Sequence, residues 1–244
     1  LPKALNIGIS HSKSNLIARM DGDDIANEFR LEKQILYLNN NYNCVAVGGC
    51  VKIIDKDGNF LYNQKMPLSD KKIRTYFPNI QLYHSSIIFR KDIYFKCGGY
   101  DEKLFTAQDQ LLFNKMAKYG ELVNIDYEIL KYRIHPGALS RRSKSENKIL
   151  LKSISNIINK KESLNSNYDL INSIYLRNKN KKHLRKSLYY QAIGIIYIKN
   201  NFRRFYALKF LTFSVLINPF SIVSWFNLLL LVLPFKYIKI IKKS

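Results

Sequence analysis

Asn15-Leu16-Ile17-Ala18-Arg19-Met20 runs directly into Asp21-Gly22-Asp23-Asp24. The first of these stretches is short and mainly apolar, which predicts a strand. It stops where three carboxylates fall within four residues. Like charges crowded at a strand end repel one another. A hard divalent cation with oxygen ligands, Mg²⁺ or Mn²⁺, relieves that repulsion and leaves room for phosphate oxygens. Gly22 permits a close backbone approach in the turn. The competing reading is a solvated acidic turn with one Asp capping the helix that follows.

Working outward, residues 3–12 space Ala4, Leu5, Ile7 and Ile9 as the end of an amphipathic helix. A helical period returns at Phe29, Leu31, Ile35, Leu36 and Leu38. Cys44 to Ile54 reads as a buried strand, closed by the hairpin turn Asp55-Lys56-Asp57-Gly58. Leu82 to Phe89 predicts a further strand, and Lys91 to Lys96 a short helix ending at Gly98-Gly99. Gln108 to Tyr119 has helical spacing, with Gly120 just past its end as a cap. Val123–Ile125 and Ile129–Ile134 read as the last strands. From about Arg141 onward only helical patterns are found. Strands mixed with helices, then helices alone, predict an α/β domain over 1–140 and a helical tail over 141–244.

Composition supports that division. The chain has 244 residues, 47% of them hydrophobic, which excludes wholesale disorder and a small disulfide scaffold. Its net charge of +22 is unevenly spread. Residues 1–140 hold 19 basic and 15 acidic residues, a net of +4, and residues 141–244 hold 21 and 3, a net of +18. Codon bias toward Lys, Asn and Ile, visible in Asn39-Asn40-Asn41, accounts for some excess but not for the asymmetry. The three cysteines, Cys44, Cys50 and Cys97, have no zinc-binding spacing and read as reduced thiols of a cytosolic protein. No secretory signal occupies the first thirty residues.

Two further places carry chemistry. Gln108-Asp109 opens a helix, where the dipole favours a carboxylate. Tyr132-Arg133-Ile134-His135 lies at the junction with the tail, His135 being either a surface histidine or a ligand.

The ordered blocks Lys3-Ala4-Leu5-Asn6-Ile7-Gly8-Ile9, Ile17 to Asp24, Arg30-Leu31-Glu32-Lys33-Gln34, Val47-Gly48-Gly49, His84-Ser85-Ser86, Gly98-Gly99-Tyr100-Asp101, Gln108-Asp109 and Leu130 to His135 resemble the family 2 glycosyltransferases of bacterial surface-polysaccharide synthesis. The resemblance covers roughly residues 3 to 140. It implies a GT-A fold, a Rossmann-like mixed sheet with flanking helices, that binds a nucleotide-diphosphate sugar. The family's DxD motif falls on Asp21 and Asp23, with Asp24 directly after, and implies Mn²⁺ or Mg²⁺ held against the donor's diphosphate. The family's base falls on Asp109, which would deprotonate an acceptor hydroxyl in a single inverting displacement. By analogy Arg133 or His135 faces the diphosphate, and His84 matches a recurrent family histidine. Gln108 departs from the family's usual Glu, and Ser85 from its usual Pro. The family's first strands would precede Leu1, so the catalytic domain is expected to be N-terminally incomplete. A truncated, inactive remnant is the alternative this raises.

In the tail, Phe205 to Ile217 is apolar all round, Asn218-Pro219 breaks it, and Ile222 to Phe235 follows. That second run is shorter than the roughly 20 residues a membrane span needs. With Trp225, Tyr237, Lys236, Lys239, Lys242 and Lys243 beside it, it predicts a helix lying in a membrane interface. The alternatives are a helical bundle, including a homo-oligomer, and a basic nucleic-acid-binding surface. No nucleic-acid-binding motif is present to support the last. The expected partners are therefore the sugar donor, a glycan or lipid-linked acceptor and the cytoplasmic face of the membrane, not nucleic acid.

Overall fold

A computed structural model describes residues 1–138, 144–160, 164–199 and 204–231. After helix α1 (Pro2–His11) come β1 (Leu16–Ala18), β2 (Ile25–Ala26), α2 (Arg30–Asn40), β3 (Cys44–Ile54) and β4 (Phe60–Gln64). Then follow α3 (Asp70–Arg74), β5 (Ile88–Arg90), α4 (Lys91–Lys96), α5 (Gln108–Met116) and β6 (Glu121–Arg133). The remaining described elements are helices: α6 (Lys144–Ile158), α7 (Leu164–Asn180), α8 (Lys182–Lys199), α9 (Arg204–Ile217) and α10 (Ile222–Leu230).

The strands form one curled mixed sheet in the order β1-β5-β3-β6-β2, with β4 paired to β3. β5 runs antiparallel to both β1 and β3, and β2 runs antiparallel to β6. Neighbouring residues of a strand face opposite sides of a sheet, and here each side is covered. Phe89 and Leu122 join Tyr94, Phe113 and Met116 in one apolar cluster, while Ile88 and Val123 join Leu38 of α2 in another. This is the α/β architecture expected from the sequence.

Several local expectations are corrected. Leu82–Phe89 is not one strand: His84–Ser86 forms a 3₁₀ turn before β5. Both the hydroxyl and the N–H of Ser86 bond to the Tyr83 carbonyl, which diverts the backbone from the ladder. The two strands expected at the end are one, β6. α5 stops at Met116, and Gly120 is not a left-handed cap. A Cβ there would lie 2.3 Å from the Asn43 carbonyl oxygen, so glycine serves close strand-to-loop approach.

The chain divides into two compact units, and not at residue 140. The first comprises Leu1–Ile53, Asn63–Arg133 and Arg142–Leu176; the second comprises Ile54–Tyr62, Ile134–Arg141 and Arg177–Ser244. α6 and most of α7 belong with the sheet because Leu150, Ile154, Ile171 and Ile174 pack with Leu104 and Leu111. Charge changes near residue 140, but apolar packing decides the unit. In the second unit, Ile198, Ala207 and Leu211 form a small apolar cluster between α8 and α9. Arg141, Arg142, Lys161, Arg203 and the run from residue 232 through Lys236, Tyr237, Lys239, Lys242 and Lys243 lie outside the described residues.

Candidate active site

The acidic turn is fixed from both sides. Arg19, 7% exposed at the end of β1, forms a bidentate pair with Asp21 through Nη1 and Nη2. The Asp21 N–H donates to Ser85 Oγ at 2.8 Å. Across the turn, the Arg133 N–H donates to Asp24 Oδ1 at 2.7 Å and its Nε donates to the Asp23 carbonyl at 2.7 Å. α2 holds the strand ends from below. Arg30 Nη2 donates to the Arg19 carbonyl at 2.8 Å, and Gln34 Nε2 donates to the carbonyls of Val47 and Ser86, each at 2.8 Å. Arg30 Nε reaches Gln34 Oε1, one helical turn on, at 3.0 Å. Burial pushes the Arg30 guanidinium down to about 10, and the Asp24 carboxylate opposes that shift.

Three carboxylates therefore occupy three environments. Asp21 is half-buried and paired, Asp23 is exposed, and Asp24 is buried. Asp24 Oδ2 has no partner in hydrogen-bond geometry. Burial raises the Asp24 carboxyl above its ordinary value, the Ser85 hydroxyl and Arg133 N–H offset part of this, and Asp23 and Asp21 add to it.

Asp21 opens onto a cavity of about 300 Å³ whose walls include Tyr83, His84, Ser85, Asp109 and Tyr132. Asp109 arrives from the first turn of α5, after Ala107 in the left-handed region at φ 59°. A non-glycine residue there stores strain, and the loop is held from outside. Asn172 of α7 accepts from the Phe105 N–H at 2.9 Å and donates to the Lys103 carbonyl at 2.8 Å. Gln110 grips the backbone of Ile80 in both directions, at 2.8 and 3.1 Å.

His84 contributes an uncharged imidazole. Burial pushes it down to about 4, with Arg19 in the same direction and Asp109 and Asp21 against it. Its Nε2 is 2.6 Å from the Tyr100 hydroxyl, which burial pushes far above its ordinary value. Tyr100 is clamped in turn by Asn6 of α1, which bonds its N–H at 3.1 Å and its carbonyl at 3.0 Å. Gly99, at φ 66°, makes the turn that delivers Tyr100. Tyr132 meets Tyr83 edge-on at 4.9 Å, and burial raises its hydroxyl to about 12.

The structure thus brings Asp21 and Asp109 into one cavity, with Asp23 and Asp24 on the turn beside it. Arg133 braces that turn. His135 belongs to the second unit and is not among the described residues that line the cavity. Sequence reasoning singled out no role for Arg19, Asn6, Tyr100 or Ser85. Among the described residues no three His, Cys, Asp or Glu side chains converge to enclose an ion. Mg²⁺ is commonly held by one or two carboxylates together with substrate phosphates. Exposed Asp23 is placed for such a shared ion and Asp24 lies buried beside it, whereas both oxygens of Asp21 are engaged by Arg19.

A second cavity, of about 510 Å³, shares Gln64 and Met66 with the first. Its walls include Val51, Lys52, Lys65 and Glu128, with Lys52 and Glu128 paired at 2.6 Å.

A family model described as glycosyltransferase like family 2 matches residues 1–192. The O-antigen biosynthesis glycosyltransferase WbnJ of Escherichia coli is 33% identical over 142 residues, covering 54% of this chain and 52% of that protein. The amylovoran biosynthesis glycosyltransferase AmsE of Erwinia amylovora is 30% identical over 143 residues, covering 58% and 53%. The chain spans about half the length of these curated relatives. The crystal structure of S. aureus TarS 1-349 aligns with 94% of this chain and 69% of that one, at TM-score 0.44 and 10% identity.

Proposed function

Because the chain belongs to the glycosyltransferase like family 2, we propose that it serves transfer of a sugar from a nucleotide-diphosphate donor to a glycan or lipid-linked acceptor in surface-polysaccharide synthesis. The observation that carries this is the meeting of Asp109 and the Asp21 turn in one cavity, from segments far apart in the sheet unit's sequence. The Asp109 carboxylate takes the proton of an acceptor hydroxyl as that oxygen attacks the anomeric carbon. The bond to the diphosphate breaks with its electron pair, the nucleoside diphosphate leaves, and the anomeric configuration inverts.

Neutral His84 supports this without charge. Fixed by Tyr100, it offers a hydrogen bond beside Asp109 and does not compete for the proton near neutral pH. Arg19 holds Asp21 in one orientation. Asp23 and Asp24, with Asp21 beside them, would hold Mg²⁺ or Mn²⁺, which when bound supplies positive charge to the leaving diphosphate. The adjoining cavity beyond Gln64 and Met66 receives the acceptor, its paired Lys52 and Glu128 offering hydrogen bonds above the apolar Val51 and Met66.

Release of nucleoside diphosphate from a panel of UDP-, GDP- and dTDP-sugars, with lipid extract as acceptor source, tests the reading. Asp109→Asn is expected to lower release at least 100-fold, the lower range for loss of a general base, with unchanged folding by circular dichroism. Undiminished release by that variant refutes Asp109 as the base.

A further inference from the structure

In the second unit, the corner between α9 and α10 buries polar side chains and exposes apolar ones. α10 turns Ser224 and Asn227 inward and leaves Ile222, Val223, Trp225, Phe226 and Leu229 exposed, Ile222 at 82%. Phe220, in the turn before it, is 92% exposed, and Leu216 at the end of α9 is 71% exposed. Beside the small apolar cluster of α8 and α9, a set of hydroxyls is buried where α8, α9 and α10 meet. Ser214 Oγ meets Ser224 Oγ at 2.8 Å, Ser187 Oγ donates to the Ser214 carbonyl at 3.0 Å, and Gln191 Nε2 donates to Ser221 and Ser224 at 2.9 and 2.8 Å. α8 and α9 approach closely at Gly194, where a Cβ would lie 2.6 Å from Leu211 Cγ.

Small residues and hydroxyl bonds between helices, with apolar side chains outside, suit surroundings that cannot accept hydrogen bonds. In water such a face is an exposed apolar patch that calls for a partner. Residues 210–235 contain no charged side chain, and no acidic residue follows Asp169, whereas 14 Lys and Arg do. Among the described residues no helix is long and apolar enough to cross a membrane. The nine residues of α10 extend only about 14 Å. An exposed apolar face on a described helix too short to span, set in a stretch of sequence rich in Lys and Arg and free of acid, fits the interface of an anionic bilayer.

We propose that the corner between α9 and α10 inserts into the outer part of an anionic lipid bilayer, with Phe220, Ile222 and Trp225 in the hydrocarbon boundary. Bilayer charge would meet the acid-free segment that follows Asp169. The proposal stands apart from the chemistry assigned to the sheet unit, and its test reads no transfer activity.

Trp225 is the one tryptophan of the chain, and it lies on this face at 49% exposure. It reports insertion directly. The full chain is mixed with vesicles of phosphatidylglycerol and phosphatidylcholine, or of phosphatidylcholine alone. Expected are flotation with the anionic vesicles, a shift of Trp225 emission to shorter wavelength, and quenching by bromine-labelled acyl chains. The double variant Phe220→Ser, Ile222→Ser is expected to lower partitioning at least tenfold, with an unchanged far-ultraviolet spectrum. Trp225 emission that ignores vesicles and brominated lipid overturns the proposal in the unaltered chain, whatever the variant does. So does a vesicle-free dimer in which Trp225 is already shielded, or RNA binding that displaces no lipid because none was bound.

Discussion

α2 and α10 both turn polar side chains inward, yet for opposite ends. α2 buries Arg30 and Gln34 at 2% and 0% exposure to satisfy strand-end carbonyls, beside Leu38 at 0% in an apolar cluster. α10 buries Ser224 among polar groups of α8 and α9 and Asn227 against the Val223 carbonyl of its own helix, and it gives Leu228 and Leu230 to the apolar interior. α2 also leaves Leu31 and Leu36 half exposed, but an ion pair of Glu32 and Lys33 sits among them. No charge interrupts the outer face of α10. Inward polarity at α2 positions a site, while at α10 it frees apolar side chains to face outward. Position within an amphipathic pattern does not reveal which of these holds; the identity of the hydrogen-bond acceptor does.

Paired truncations break or sustain this contrast. Leu38→Ala empties space in a closed cluster and is expected to cost about 2–5 kcal/mol. Leu229→Ala, at 67% exposure, is expected to change stability by at most about 0.5 kcal/mol in vesicle-free solution. Chemical denaturation compares the two. Equal losses would mean that the outer face of α10 is covered in water and that the contrast fails.

Much of the sheet unit was legible because strands and helices there obey ordinary periods. Cys44–Ile54 and Lys91–Lys96 fall where the pattern puts them. β2 and β4 were not legible: two residues are too few for a period, and Phe60–Gln64 shows one buried residue. The division at residue 140 followed the change from mixed strands and helices to helices alone, with charge in support, whereas α6 and α7 follow Ile154, Ile171 and Asn172 into the sheet unit. In the candidate site, clustered carboxylates and a carboxylate at a helix start are visible in one dimension. Arg19, Asn6 and Tyr100 act through contacts to distant segments, such as the 3.0 Å bond from Asn6 to the Tyr100 carbonyl. Nothing in the spacing of these residues announces such bonds.

A pH titration sharpens the comparison next. His84 has a folded value lowered from 6.5 to about 4, so its unfolded state binds a proton first as pH falls. The stability it contributes is complete above about 6.5 and is lost between there and about 4. A loss of about 3 kcal/mol is expected across that window. His84→Gln, which keeps a hydrogen-bonding group toward Tyr100, should flatten it. A slope unchanged by the substitution would remove His84 as its cause.

A smaller effect than that of His84 concerns the acidic turn itself. Asp24 has its carboxyl raised above 3.8, so the folded state binds its proton more readily than the unfolded state. Stability therefore falls as pH rises from 3.8 through the raised value, and the whole penalty is present at neutral pH. Asp24→Asn removes the charge while its side-chain oxygen still accepts from the Arg133 N–H. A gain of at most about 1 kcal/mol at pH 7, vanishing toward pH 3, is expected in thermal unfolding. Added Mn²⁺ should reverse the order, because an ion bound only by the folded state stabilises by mass action. The variant then loses to the unaltered chain. If Asp24→Asn destabilises at pH 7 without metal, the carboxylate has structural value in the turn. If Mn²⁺ raises both proteins equally, Asp24 does not share in holding an ion.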